Sequence, residues 1–239
     1  MRTLIYYVCF GEQFKKLLNM SLYSLFNVGK YDGTVVIITD FKKEDFYPSE
    51  RIKIINVPDI KKETFFIRNM KSSLINYMDI RDYDFILYLD ADVLINSDRL
   101  VPLMNEWGNQ KHLWIQHDIV PIKKNKPYCG SEVLTPEEKK NFGNYGFNAG
   151  IIGAKTALYS EVCSRWHILN YQHNFSKCDQ GNLVAVIVRN YLDVVKYTND
   201  TAITNRKNDE HRTETILHFL TKSEAAMYSY FDKYIKEKK

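Results

Sequence analysis

The sequence predicts an α/β protein, a single domain built on a mostly parallel central sheet flanked by helices. Three observations carry that expectation. Phe85-Ile86-Leu87-Tyr88-Leu89 is an unbroken apolar run, which reads as a strand covered on both faces, the habit of parallel sheets. Upstream of it, β-branched runs alternate with stretches of helical period, the rhythm of βαβ units. Asp90 and Asp92 follow the run directly, at the carboxyl end of a strand, where α/β sheets hold their ligands.

Taken in order, Thr3 to Phe10 is β-branched and aromatic and reads as a buried first strand. Glu12 to Val28 places Phe14, Leu17, Leu18, Leu22, Leu25 and Phe26 at helical spacing and stops at Gly29. Thr34 to Thr39 and Ile52 to Val57 are the next strands. Glu63 to Met78 reads as a helix with Phe66, Met70, Leu74 and Tyr77 on one face. After the central strand, Arg99 to Trp107 is a short helix and His112 to Gln116 a strand. From His117 to Gly146 the pattern dissolves, which marks a lid or acceptor-binding loop, with one helical turn at Pro136 to Lys140. Phe147 to Ala154 is a strand and Ala157 to Asn174 a helix. Asp179 is placed to cap a further helix over Gln180 to Asn190. Val194 to Tyr197 and Thr215 to Phe219 are short strands on either side of a polar loop. Glu224 to Lys238 is an amphipathic, basic helix.

Composition narrows the function classes. A chain of 239 residues has ample length to bury a core. A formal charge of +4 is too mild to point to nucleic acid, though it suits a phosphorylated substrate. Cys9, Cys129, Cys163 and Cys178 have no CxxC or zinc-type spacing, so free thiols in a reducing, cytoplasmic setting are expected. No apolar run reaches the length of a transmembrane helix. The aromatic face and the lysines of the carboxyl-terminal helix, Lys233, Lys236, Lys238 and Lys239, suit peripheral contact with an anionic membrane.

The chemistry concentrates in a few stations. In extended backbone, residues two apart project to one side, so Asp90 and Asp92 can address one hard cation and leave it open positions for phosphate oxygens. A second pair, Asp82 and Asp84, precedes the same strand and reads as surface carboxylates on a turn. Neither a G-x-G-x-x-G turn nor a Walker A loop follows the first strand, so dinucleotide and P-loop binding are not signalled.

Leu89-Asp90-Ala91-Asp92, Phe147-Asn148-Ala149-Gly150, Asp179-Gln180-Gly181 and Ile216-Leu217-His218-Phe219, in that order, resemble the GT-A glycosyltransferases of the glycogenin and bacterial lipooligosaccharide galactosyltransferase type. The resemblance spans nearly the whole chain. It implies a retaining, Mn²⁺-dependent transfer of a hexose from a nucleotide-diphosphate sugar, UDP-glucose or UDP-galactose, to a glycan or glycolipid hydroxyl. Asp90, Asp92 and His218 would hold the ion, with Mg²⁺ as the alternative, and imidazole favours manganese. A lone histidine on an apolar strand is more often a core residue; the ordered match makes His218 a ligand. Val8, Cys9 and Phe10 would lie against the uracil, and Lys71, Asp90, Ala91 and Lys222 near the rest of the donor. Asn148, Asp179 and Gln180 would line the donor sugar and the reacting face. The chain departs from the family after His218, where Phe219-Leu220-Thr221-Lys222 replaces a Gly and a Lys-Pro-Trp element. The competing classes are a nucleotidyltransferase acting on sugar phosphates and a catalytically inactive, carbohydrate-binding relic of the fold.

Overall fold

The computed structural model describes residues 1–58, 69–124, 126, 132–172, 179–198, 202–203, 208–220 and 223–237. Its strands are β1 (Thr3–Cys9), β2 (Thr34–Thr39), β3 (Ile52–Asn56), β4 (Phe85–Leu89), β5 (Val93–Ile95), β6 (Leu113–His117), β7 (Phe147–Lys155), β8 (Val195–Tyr197), β9 (Ala202–Ile203) and β10 (Ile216–His218). Its helices are α1 (Glu12–Asn27), α2 (Leu74–Tyr77), α3 (Leu100–Gly108), α4 (Pro136–Phe142), α5 (Thr156–Gln172), α6 (Asp179–Asn190) and α7 (Glu224–Tyr230).

The protein is α/β. Seven strands form a sheet in the order β3-β2-β1-β4-β7-β6-β8. All run parallel except β7, which pairs antiparallel with both β4 and β6. The period of two along each strand sends alternate residues to opposite cores. Leu4, Tyr6, Val36, Ile38, Ile86 and Tyr88 face one core, shared with Trp166 of α5 and Leu183 and Ile187 of α6. Ile5, Tyr7, Val35, Ile37, Phe85, Leu87 and Leu89 face the other, closed by Leu18, Leu22 and Leu25 of α1 and by Met104 and Trp107 of α3. Every residue of β4 is buried, which is why its sequence is apolar without alternation.

A second sheet of three short strands, β5-β10-β9, stands beyond the carboxyl end of β4. β5 pairs antiparallel with β10, with Val93 opposite His218. This little sheet returns the distant end of the chain to the aspartates.

Several expectations need correction. The helix expected over Glu63 to Met78 is broken where it is described: Met70–Ser72 form a 3-10 turn and α2 is a separate short helix. Hydroxyls cause the break, since Ser72 and Ser73 both donate to the Asn69 carbonyl, at 3.0 and 2.9 Å. Phe66 lies outside the described residues. The segment His117 to Gly146 is not a structureless loop in its described parts. Ile122 and Leu134 are buried, and α4 starts at a capping box in which Thr135 and Glu138 exchange hydrogen bonds.

The apolar face of the carboxyl-terminal helix is turned inward, onto the protein's own core. Met227, Tyr230 and Ile235 pack on Leu17, Leu94, Leu217 and Phe219, and Tyr230 donates to Asn96 Oδ1 at 3.0 Å. Lys233 pairs with Asp209, while Lys238 and Lys239 lie outside the described residues. Among the described residues, no helix is long and apolar enough to cross a membrane. Cys9 and Cys163 are buried free thiols, Cys9 pushed up to about 12 chiefly by burial; Cys129 and Cys178 fall outside the described residues.

Candidate metal centre

Asp90, Asp92 and His218 converge, each offering a ligand atom within 4.8 Å of the others. The backbone dictates this. Asp90 N donates to Gly150 O at 2.8 Å, which fixes the end of β4 to β7. Phe219 N donates to Asp92 O at 2.9 Å, which fixes the turn after β4 to the end of β10. The His218 ring is buried, with Nε2 3.1 Å from Asp92 Oδ1 and 3.8 Å from Asp90 Oδ2. Its Nδ1 meets Gln116 Oε1 at 2.7 Å.

Gly150 is required by this packing. A Cβ added there would lie 2.1 Å from His218 Cε1, a distance no side chain tolerates. The β6–β7 ladder is irregular at the same place, its register shifting between Ile115 and Gln116. Such irregularities re-aim side chains beside functional sites. The freed backbone groups of β7 are taken by site residues. Gly150 N donates to Asn148 Oδ1 at 2.8 Å, and Ala149 N to Gln180 Oε1 at 3.3 Å.

A cationic side chain sits next to the carboxylates. Lys71 Nζ lies 2.9 Å from Asp90 Oδ1 and 3.2 Å from Asp179 Oδ2. Burial pulls the ammonium down, but Asp179 and Asp90 outweigh it and hold Lys71 above its ordinary value. For Asp90, burial opposes ionisation, yet Lys71, then His218 and the Tyr88 hydroxyl, keep the carboxyl below its ordinary value. Burial likewise opposes protonation of His218, and Asp92 reverses this to leave the imidazole raised. Lys71 is carried on the 3-10 turn, which buried polar groups hold: Tyr6 donates to the Lys71 carbonyl, and Asn170 of α5 links Ser72 to Asn182 of α6.

Two partly exposed carboxylates and one buried imidazole, convergent, fit a hard divalent cation, with the imidazole leaning toward manganese over magnesium. The donor set leaves open coordination positions.

Of the residues singled out from sequence, Asp90, Asp92, His218, Lys71, Asp179, Gln180 and Asn148 are brought together. Asp179 opens α6 rather than capping it, and its carboxylate is paired with Lys71. Asn148 is spent on holding the β7 backbone. Val8 is half-buried at the end of β1, while Cys9, Phe10 and Ala91 are buried, so their side chains are core and only their backbone can meet a ligand. Lys222 lies outside the described residues. Three contributors carried no sequence signal: Gln116, Asp118 (whose Oδ2 accepts from Gln180 Nε2 at 3.0 Å) and Tyr88. Each acts through a partner distant in the chain or hidden in an apolar run. No protein-family model matches the chain, and no curated protein matches it.

Proposed function

We propose that the protein is a retaining glycosyltransferase of GT-A type that moves a hexose from a nucleotide-diphosphate sugar to a glycan or glycolipid hydroxyl. UDP-glucose and UDP-galactose are the first donors to test. The observation that carries this reading is the meeting of Asp90, Asp92 and His218 beyond the sheet's carboxyl edge, beside the Lys71–Asp179 ion pair. When bound by those three residues, Mn²⁺ supplies Lewis-acid stabilisation of the charge on a departing diphosphate.

The protein's own residues serve the rest. Lys71 is a fixed cation at the point where negative charge develops. Gln180 is locked by Ala149 N and Asp118, so its amide can orient a sugar but cannot accept a proton. Asp179 is ion-paired, which blunts it as a nucleophile. With no free base opposite the leaving group among these residues, same-face transfer is favoured. The bond from the anomeric carbon to the phosphate oxygen breaks, the bond to the acceptor oxygen forms on that face, and the acceptor's proton passes to the departing phosphate.

The test is a thermal-shift screen of nucleotide sugars with Mn²⁺, followed by NMR of the first-formed product. A stabilising donor and a product with the donor's anomeric configuration are expected. An inverted product overturns the mechanism, and no Mn²⁺-dependent donor effect overturns the transferase.

A further inference from the structure

Gln116 is fully buried in a strand whose next residue inward is Ile115. A primary amide there must be desolvated, a cost that an apolar residue would avoid. Its Nε2 has no hydrogen-bond partner among the described residues, whereas its Oε1 lies 2.7 Å from His218 Nδ1. The position therefore uses the oxygen. Neutral imidazole carries one N–H and one lone pair. An acceptor at Nδ1 selects the Nδ1–H tautomer, which puts the lone pair on Nε2, the nitrogen that faces Asp92 and Asp90. With the amide reversed, the lone pair would face Gln116 and the ring could not ligate a cation held by the aspartates.

We propose that Gln116 is a positioning residue of the metal centre: its side-chain carbonyl fixes the tautomer and orientation of His218 so that Nε2 is available to the cation. The proposal rests on reading Asp90, Asp92 and His218 as a divalent-cation site. Histidine ligands commonly donate their second N–H to a carboxylate or a carbonyl. An amide does so here without adding a third negative charge beside the buried ring. Gly150 complements it, because its bare backbone lets the ring lie close enough for Gln116 to reach.

The experiment needs neither donor nor turnover. Mn²⁺ binding to the whole protein is measured from the EPR signal of the free ion, for wild type, Gln116→Leu and Gln116→Glu. The His218 tautomer is read from ¹⁵N shifts of the metal-free protein at a pH where the ring is neutral. Wild type is expected to show Nδ1–H. Gln116→Leu should keep the unfolding midpoint near wild type while Mn²⁺ affinity falls about 10- to 100-fold. Gln116→Glu keeps an acceptor oxygen and should stay within a few-fold of wild type. A Leu variant that binds Mn²⁺ as wild type does, equal losses in the Leu and Glu variants, or an Nε2–H ring in wild type each overturn the proposal. The tautomer result decides even if the Leu variant fails to fold. A wild-type protein that binds no Mn²⁺ would sink the metal centre itself, and the positioning role with it.

Discussion

The two ends of β4 carry the same motif and differ in everything around it. At the amino end, Asp82 and Asp84 are exposed. Asp84 accepts from the Arg2 backbone N–H at 2.7 Å, and no third ligand joins this pair among the described residues. At the carboxyl end, Asp90 and Asp92 meet Lys71, Tyr88 and His218, each supplied by a different part of the chain. Two aspartates with one residue between them are therefore only a potential ligand pair. The strand's direction and the return of β7 and β10 decide which pair becomes a site.

The largest break in this asymmetry should come from Asp92→Ala. Mn²⁺ binding and any transfer activity should fall by roughly 10³-fold or more, with secondary structure by circular dichroism unchanged. Comparable losses from Asp84→Ala would erase the distinction between the ends.

Gly150→Ala tests whether the returning strand matters as much as the aspartates. The added methyl would collide with His218, costing about 1–3 kcal/mol of stability by overpacking. Denaturant titration should register that loss, and equilibrium dialysis a larger proportional loss of Mn²⁺. If the variant bound the ion normally, the fixed ring would be irrelevant to the site.

A carboxylate remote from both ends calibrates what an ordinary ion pair contributes. Arg189 bonds Glu138, joining α4 to α6, and, against the opposing effect of burial and with help from the Thr135 cap, holds its carboxyl down to about 2. The unfolded chain titrates near 4.3, so the pair stabilises the fold above that pH and the contribution fades as pH falls toward 2. Both side chains are partly in solvent, which limits it to about 1 kcal/mol. Glu138→Gln should lower the melting temperature at pH 7 by a few degrees and leave it unchanged at pH 2.

The smallest effects belong to the amino end. Asp84→Ala should lose about 0.5–1 kcal/mol with its hydrogen bond from Arg2, and Asp82→Ala should stay within about 0.5 kcal/mol of wild type. Chemical denaturation of the two variants would show whether that end is as inert as its surroundings imply.

How much of this could be read from sequence follows from the range of each interaction. β1, β2 and β4 were legible because their apolar runs record burial on both faces of a sheet. The three residues of β5 and two of β9 are too short to show a period. Nothing local distinguishes the antiparallel β7 from a parallel strand, so its reversal was unreadable. The helical period through Met70, Leu74 and Tyr77 was present, but the hydroxyls of Ser72 and Ser73 outcompeted it for the Asn69 carbonyl. At the site, the aspartates announced themselves by position and His218 by its order among the four stations. Gln116 did not, since a lone polar residue at a strand's end resembles a solvent-facing one until a ring 102 positions away is laid against it.

The ion pair between Lys71 and Asp90 bears on how such a protein is made. A chain grows from its amino end at roughly 5–20 residues per second, so Asp90 and Asp92 exist for several seconds before His218 has been synthesised. Throughout that interval the ammonium that answers Asp90 is already present, because Lys71 precedes it. The nascent sheet can thus close over its carboxylates with a counterion of its own. The three proposed ligands are complete only once His218 has been added, so under that proposal the full site for a metal forms after most of the sheet's residues exist.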